Sequence, residues 1–307
     1  MSRAKDEVLE RFTTLHNTIA QSTAVKNKTL SDVDHNNSAK MLRSGLAVVG
    51  FAALEDFIKR RSSEITRDIS TAGVPFNNLP EKLQHAFTHE AIPAINYQSR
   101  LRDKADRITY VQNQASNIAS TSSNSYLLPE DVFGYDQPNI QKETIKKILS
   151  SFNISDPWRA MTNVASRIGL IALPLEQSFN NAATRRHKAA HVAGIDIPET
   201  DISQFVKEGL AISIAFDSLL TRAAKEIIAH NSSFLTGRNK LCATDIKLRF
   251  IKFHSGKWKE YPEGASKAYR ANKLKHIVSA SALTRSQRHN EVLIELNEVG
   301  FVTNWET

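Results

Sequence analysis

Arg186 and His191 lie in the stretch Arg186-His187-Lys188-Ala189-Ala190-His191, and both side chains could take part in phosphate chemistry. Arginine is permanently charged, and its forked donors fit phosphate oxygens, whereas histidine accepts and releases protons near neutral pH. Together these groups suffice for cleavage of RNA by its own 2′-hydroxyl, because a base deprotonates the hydroxyl and a cation stabilises the phosphorane. That chemistry needs no metal and leaves a 2′,3′-cyclic phosphate and a 5′-hydroxyl end.

The spacing by itself does not single out this stretch. An arginine also precedes a histidine at a similar distance in three other places: Arg11–His16, Arg249–His254 and Arg270–His276. The local sequence context is therefore needed to separate a catalytic pair from a coincidence.

The neighbouring polar residues admit more than one interpretation. His187 and His191 are four positions apart and share a helix face, which would suit metal ligation, but the sequence offers no evident third ligand. We therefore expect no metal and no other cofactor, and interpret His187 as a group that contacts or tunes the phosphate. Arg185 and Lys188 are either contacts to the RNA backbone or solvated charges.

The elements that must position these residues are mostly helices. Apolar residues spaced by three and four predict an N-terminal helix over 3–24, which is a candidate arm, and long helices over 38–70 and 201–230. A polar helix is predicted over 94–120.

The helix that carries Arg186 is bounded by strong local signals. Asp156-Pro157 predicts the start of the preceding helix, with Asp156 as the cap and Pro157 in the first turn. Pro174 and Gly194 then bracket the next helix, so Arg186 and His191 should lie near its C-terminal end.

The last part of the chain has a different pattern. Alternating residues over 246–250 predict a strand, residues 265–277 and 285–299 resemble helices, Gly300 fits a helix C-cap, and 301–305 fits a closing strand. The predicted fold is mainly α, a helical bundle over 1–235 with a small, basic α/β appendage over 236–307.

Composition limits the class of protein. The chain has 307 residues, a formal net charge of +8 and a single cysteine, Cys242, which excludes an intramolecular disulfide. No apolar run is long enough to cross a bilayer and the N-terminus has no signal-peptide core, so we expect a cytoplasmic protein. Residues 240–307 carry twelve Lys/Arg and seven Asp/Glu, which suits either a polyanion partner or a solvated basic face.

The segment resembles the HEPN superfamily (higher eukaryotes and prokaryotes nucleotide-binding), whose ribonucleases carry an arginine, four to six residues, and a histidine. A polar residue usually follows that arginine, as His187 does here, whereas Arg11 and Arg249 are followed by phenylalanine. The stretch from Asn153 to Leu170 is similar to the run-up to this motif in the RiboL-PSP-HEPN branch, and Arg43 to Phe57 resembles the first core helices of the family. The resemblance extends from about residue 35 to about residue 230.

The resemblance implies a metal-independent endoribonuclease in which His191 is the general acid and base, Arg186 stabilises phosphate charge, and His187 assists. It implies that Glu55 orients Arg186 or His191; the alternative is an exposed charge at the edge of its helix. It also implies a homodimer with a composite active site, acting as a toxin or anti-phage effector with an antitoxin or activating partner. Two alternatives stay open: a non-catalytic HEPN-fold scaffold, and a nucleic-acid-binding regulator that uses the basic C-terminal region.

Overall fold

The computed structural model describes residues 2–170, 173–192 and 194–307. The helices are α1 (Arg3–Gln21), α2 (Val33–Ser70), α3 (Glu81–Ala86), α4 (Ile92–Leu101), α5 (Lys104–Ser120), α6 (Lys142–Ser151), α7 (Pro157–Ile168), α8 (Leu175–His191), α9 (Glu199–Ile228), α10 (Ser232–Leu235) and α11 (Lys275–His289). The strands are β1 (Lys247–His254), β2 (Lys257–Pro262), β3 (Arg270–Asn272), β4 (Glu291–Leu296) and β5 (Val302–Glu306). The fold is mainly α with a small C-terminal sheet, as predicted.

The two longest helices, α2 and α9, form the centre of the bundle. They pack against each other, and α1 and α8 pack against both of them. The middle of α9 is buried on every side, because its residues from Leu210 to Leu220 are apolar or small around the whole helix apart from Asp217. No helix in the described ranges combines the length and the apolarity that crossing a bilayer requires.

The N-terminal helix belongs to the core, which corrects the interpretation of residues 3–24 as an arm. Val8, Phe12 and Leu15 are buried, and α1 packs against α2 and α9 and ends at Gln21. The physical reason is the apolar stripe itself, since a helix with one fully apolar face gains more from burial than from projecting into water.

Gly209 in α9 allows the Phe12 ring to approach the helix backbone, since a Cβ there would lie 2.5 Å from the ring carbon Cζ. We expect Gly209→Ala to destabilise the fold by about 1–3 kcal/mol through overpacking, measured by urea unfolding. Gly45→Ala in α2 is the matched control, because in the described part of the chain no atom beyond its own helix turns lies within 4 Å of a Cβ there. Equal losses of stability in both variants would contradict this account of the close approach.

The predicted polar helix over 94–120 is in fact two helices. The backbone of Arg102 is extended between α4 and α5. Its guanidinium lies 3.9 Å from the centre of the Tyr110 ring and is paired with Asp131, while Arg107 donates to the carbonyl oxygens of Arg100 and Arg102. These contacts hold the chain in a bend that helical periodicity does not reveal.

The start of α7 lies where the sequence placed it. Pro157 is the first helical residue and Asp156 is the N-cap, although the Asp156 side chain makes no capping hydrogen bond and its backbone is left-handed, with φ of 43°. α7 ends at Gly169, also left-handed, which turns the chain toward α8.

The C-terminal sheet has the strand order β3-β2-β1-β4-β5. β1 and β4 are parallel, and the other neighbours are antiparallel. α11 covers one face through Val278 and Ala282, which pack with Ile251 and Leu293. On the other face, Trp305 is fully buried and its indole nitrogen donates to Asp217 of α9 over 2.8 Å.

Two predicted helices of the tail are wrong. Residues 265–277 contain β3 and only the first turn of α11, and residues 285–299 contain the end of α11 and all of β4. Short apolar runs fit a strand as well as a helix, so periodicity does not separate them. Gly300 is therefore not a helix cap, because it lies with φ of 82° in the turn between β4 and β5.

Residue 235, where the sequence predicts a domain boundary, is the last residue of α10, and the division into two domains stays a prediction. The apolar core continues across it, because Leu248, Ile294 and Trp305 of the sheet belong to the same buried cluster as Phe57 and Phe216 of the helices.

Candidate active site

Helix α8 positions the Arg186 segment. It begins after Pro174, where the backbone N–H of Leu175 donates to the Thr162 hydroxyl, and it packs on α2 through Phe179 and Ala182. It ends at His191, so Lys188 and His191 lie in its last turn, where the helix dipole favours positive charge.

The Arg186 side chain is half-buried and points toward the loop between α5 and α6. Its Nη2 donates to the Asn139 side-chain oxygen over 2.7 Å. Its Nε is buried and, among the described residues, has no hydrogen-bond partner. A buried donor without a partner costs about 1–3 kcal/mol, so the guanidinium of Arg186 keeps hydrogen-bonding capacity that the described residues do not use.

Glu55 lies beside this arginine. The side chain is only 7 % exposed, and a carboxylate oxygen accepts a hydrogen bond of 2.6 Å from the backbone N–H of Ile140. Asn139 and Ile140 are adjacent, so Arg186 and Glu55 hold consecutive residues of one loop. The interpretation of Glu55 as an exposed charge is therefore wrong, because its part of α2 faces the interior.

The charges of Glu55, Lys59 and Arg186 affect one another. Burial raises the pKa of the Glu55 carboxyl, while the Ile140 N–H and the charges of Arg186 and Lys59 act in the opposite direction. Burial also lowers the pKa of the Lys59 ammonium, against the effect of Glu55. Glu55 thus lies within electrostatic reach of Arg186, and its role in orienting that arginine stays a prediction.

The pKa of Glu55 leads to a prediction about stability. Because the folded-state pKa lies above the ordinary value of 4.5, the folded protein binds this proton more tightly than the unfolded chain, and stability is lost as pH rises through that range. Glu55→Gln keeps an acceptor for Ile140 and cannot ionise. Its urea midpoint relative to wild type should therefore rise between pH of about 4 and about 7.

The control for this experiment is Glu10→Gln, which changes an exposed carboxyl on α1. Its stability relative to wild type should show no comparable trend. A difference between wild type and Glu55→Gln that stays constant with pH would contradict the prediction.

His187 and His191 lie on a different side of α8 from Arg186. Both are exposed, and their ring centres are 4.8 Å apart. The described residues contain one group of three side chains with metal-ligand proximity, His85, His89 and Glu90, and it does not include this pair. Within one chain, the two histidines are therefore close to each other and exposed, whereas Arg186 is half-buried.

The flanking cations differ in their surroundings. Lys188 is exposed, whereas Arg185 is paired through Nε with Asp201 of α9 over 3.2 Å. Arg185 therefore links α8 to the first turn of α9 and is not simply solvated. A contact of either residue to RNA stays a prediction.

In two of the other three arginine–histidine pairs, the arginine is paired with a carboxylate of the fold. Arg11 is paired with Asp56, and His16 stacks on Phe301 with ring centres 4.4 Å apart. Arg249 is buried and paired with Glu260.

Sequence reasoning missed Asn139 and Lys59. Asn139 lies in a loop rich in Ser, Asn and Pro that carries no periodic signal, and it is 47 positions from Arg186. Lys59 lies one helical turn after Glu55 and donates weakly to the carbonyl oxygens of Gln137 and Pro138. The one available signal was the i, i+4 spacing of Glu55 and Lys59 on a predicted helix.

These elements define a class of protein: a helical bundle in which an Arg-x4-His helix packs against a long helix with a buried carboxylate. The sequence model of the RiboL-PSP-HEPN family matches residues 10–222, from α1 into α9. The match covers more than half of the chain, so the protein belongs to the RiboL-PSP-HEPN family, which confirms the resemblance. No curated protein and no solved structure matches the chain. Membership indicates a ribonuclease-like or nucleotide-related function.

Proposed function

We propose that the protein is a metal-independent endoribonuclease that cleaves RNA by attack of the 2′-hydroxyl on the adjacent phosphate. The observation that carries the proposal is the state of Arg186: one side of its guanidinium is fixed by Asn139, its Nε has no partner among the described residues, and Glu55 lies beside it. An arginine prepared in this way suits an added anion. Family membership supports the same chemistry.

The reaction requires two proton transfers. The 2′-oxygen bonds to phosphorus as the bond to the 5′-oxygen breaks; a base takes the 2′-hydroxyl proton, and an acid gives a proton to the 5′-oxygen. We assign both proton transfers to His191 and the stabilisation of the phosphorane charge to Arg186. His187 assists His191, Glu55 and Asn139 position Arg186, and Lys188 and Arg185 contact the RNA backbone.

We propose further that the active site is shared between two copies of the chain. Residues five positions apart on a helix point about 140° away from each other, and Arg186 is half-buried while His187 and His191 are exposed. We infer that one chain alone does not bring the arginine and a histidine onto one phosphate. A dimer would supply two copies of His191, one for each proton transfer.

An exposed apolar face of α2 supports a second copy as the partner. Met41 is 77 % exposed and Val49 is 64 % exposed, and Leu42, Gly45 and Ala52 are exposed on neighbouring turns of the same helix. This α2 face lies on the helix that carries Glu55 and packs against α8. A second copy that covers it would therefore lie close to the active-site helices.

Val49→Glu tests this α2 face. We expect the substitution to convert the dimer to a monomer and to abolish RNA cleavage together, because a buried unpaired carboxylate opposes the apolar contact. Val299→Glu is the matched control, because Val299 is 85 % exposed in the turn between β4 and β5. Light scattering after gel filtration measures the mass. A Val49→Glu variant that is still dimeric and fully active would contradict the assignment of the face.

The reaction itself is tested by incubating the purified protein with RNA in EDTA. The proposal expects cleavage that leaves 2′,3′-cyclic phosphate and 5′-hydroxyl ends. RNA that stays intact with a folded, dimeric protein would overturn it. As a biological role we propose a toxin or anti-phage effector, controlled by an antitoxin or an activating partner. Growth inhibition on expression, relieved by Arg186→Ala, tests that role.

A further inference from the structure

The segment that contains β1, β2 and β3 carries an excess of positive charge that its own carboxylates do not balance. Residues 247–275 contain nine Lys/Arg and two glutamates, a net charge of +7. Both glutamates are already paired with arginines, Glu260 with Arg249 and Arg285, and Glu263 with Arg167. Seven of the nine basic residues are lysines. Lys275 is paired with Glu295, and among the described residues the other six lysines have no carboxylate within 4 Å.

Four of the basic residues form one face of the β1–β2 hairpin. Lys252 lies opposite Lys259 in the strand register, and His254 lies opposite Lys257. Side chains two positions apart in a strand point to the same side, so all four share one face, which we call the basic face. Phe250 and Tyr261 form the next pair toward the body of the protein, and the Lys252 ammonium lies 4.6 Å from the centre of the Phe250 ring.

The basic face is open to solvent. α11 covers the opposite face of the sheet, through Ile251 and Trp258. The helical bundle covers one end of the face that carries Lys252, where Leu248 and Phe250 join the core of the bundle. Beyond that point Lys252, His254 and Lys257 are exposed. The hairpin therefore extends past the bundle with its basic face uncovered.

The stability of the fold does not explain why these basic residues lie opposite each other. Like charges directly opposite each other in a sheet are destabilising, and Lys252 and Lys259 form such a pair. Lysines do protect sheet edges from aggregation, but the edge strands here are β3 and β5, whereas the basic face lies on the interior strands β1 and β2. A bound polyanion would remove the repulsion.

We propose that the basic face binds the sugar–phosphate backbone of single-stranded RNA. Lysine and histidine contact phosphates as point donors, so the binding is independent of sequence and strongly dependent on salt. The four residues of the basic face lie in two rows along the β1–β2 hairpin and not in a pocket. This arrangement fits the successive phosphates of an RNA strand. The choice of RNA rests on the proposed ribonuclease function, because the face lies outside the residues that match the family.

The test uses the full chain with His191→Ala, in EDTA, so that binding is measured without cleavage. The probe is a fluorescent single-stranded RNA of mixed sequence, and the readout is its anisotropy over a range of salt. Lys252→Glu/Lys259→Glu should weaken binding at least tenfold. The slope of log affinity against log salt should become shallower by about 1.4, the value for two phosphate contacts on a single strand.

Lys146→Glu/Lys207→Glu is the matched control, because it makes the same change in net charge at exposed helical positions. An equal loss of affinity in the control would overturn the proposal, since total charge would then explain the binding. Duplex DNA bound as tightly as the RNA would overturn the assignment to single-stranded RNA. Unchanged binding in the Lys252/Lys259 variant would overturn it directly.

A neutral variant keeps the test valid if the charge reversal impairs folding. Lys252→Gln/Lys259→Gln removes the repulsion, so it should raise the urea midpoint while it lowers RNA affinity. A fall in both would indicate a structural role and contradict the proposal. Failure of the ribonuclease proposal can be distinguished from failure of this proposal. In the former case the wild type would bind the RNA but not cleave it.

Discussion

Replacing His191 by alanine is expected to lower the rate of RNA cleavage by about 10²–10⁴-fold, the usual contribution of general acid–base catalysis. The effect should lie near the upper end, because in a shared site both the base and the acid are copies of His191. Fold and mass should not change, since the side chain is exposed at the end of α8. The measurement is the initial rate of cleavage of an end-labelled RNA in EDTA, with circular dichroism and light scattering in parallel.

His289→Ala is the control for this variant, because His289 is also exposed in the last turn of a helix, α11. It should cleave at the wild-type rate. His187 provides a sharper comparison, since its ring lies beside that of His191. Loss of cleavage in His187→Ala with a normal rate in His191→Ala would reverse the assignment of the two histidines.

Asp217→Ala is expected to destabilise the protein by about 3–5 kcal/mol, the range for breaking a buried ion pair from one side. Asp217 is buried in α9 and accepts hydrogen bonds from Arg61 of α2 over 2.6 Å, from Thr221 over 2.9 Å and from the Trp305 indole over 2.8 Å. Burial alone would lower the pKa of the Arg61 guanidinium, but Asp217 and Glu64 hold it above its ordinary value. Removal of Asp217 leaves that charge and the indole N–H without this partner.

Urea unfolding followed by circular dichroism measures this effect. Asp68→Ala, at an exposed position of α2, is the control and should change stability by less than about 0.5 kcal/mol. Trp305→Phe should cost less than Asp217→Ala, because it removes one donor and part of a buried ring but leaves the ion pair intact. A loss below about 1 kcal/mol for Asp217→Ala, the level of a single ordinary hydrogen bond, would show that the ion pair is not essential to the contact between sheet and bundle.

The sequence predicted the features that depend on neighbouring residues. Apolar spacing located α2 and α9, and Asp156-Pro157 located the first turn of α7, because both signals are set within a few turns of one helix. The same reasoning failed in the tail, where the short apolar runs of β4 and α11 have no distinctive period. The Arg186–His191 segment was found by chemistry and by resemblance to a family, since its spacing recurs elsewhere in the chain.

Only the tertiary structure decided which distant groups meet. Asn139 reaches Arg186 across 47 positions, Glu55 reaches Ile140 across 85, and Trp305 reaches Asp217 across 88. Such contacts depend on how whole helices and the sheet pack, and no local period encodes that packing. The sequence by itself therefore determined the long helices α2 and α9, the start of α7 and the candidate residues of the segment. Packing decided that Arg186 is half-buried beside Glu55, that the two histidines face solvent, and that the basic residues of β1 and β2 lie together on one open face.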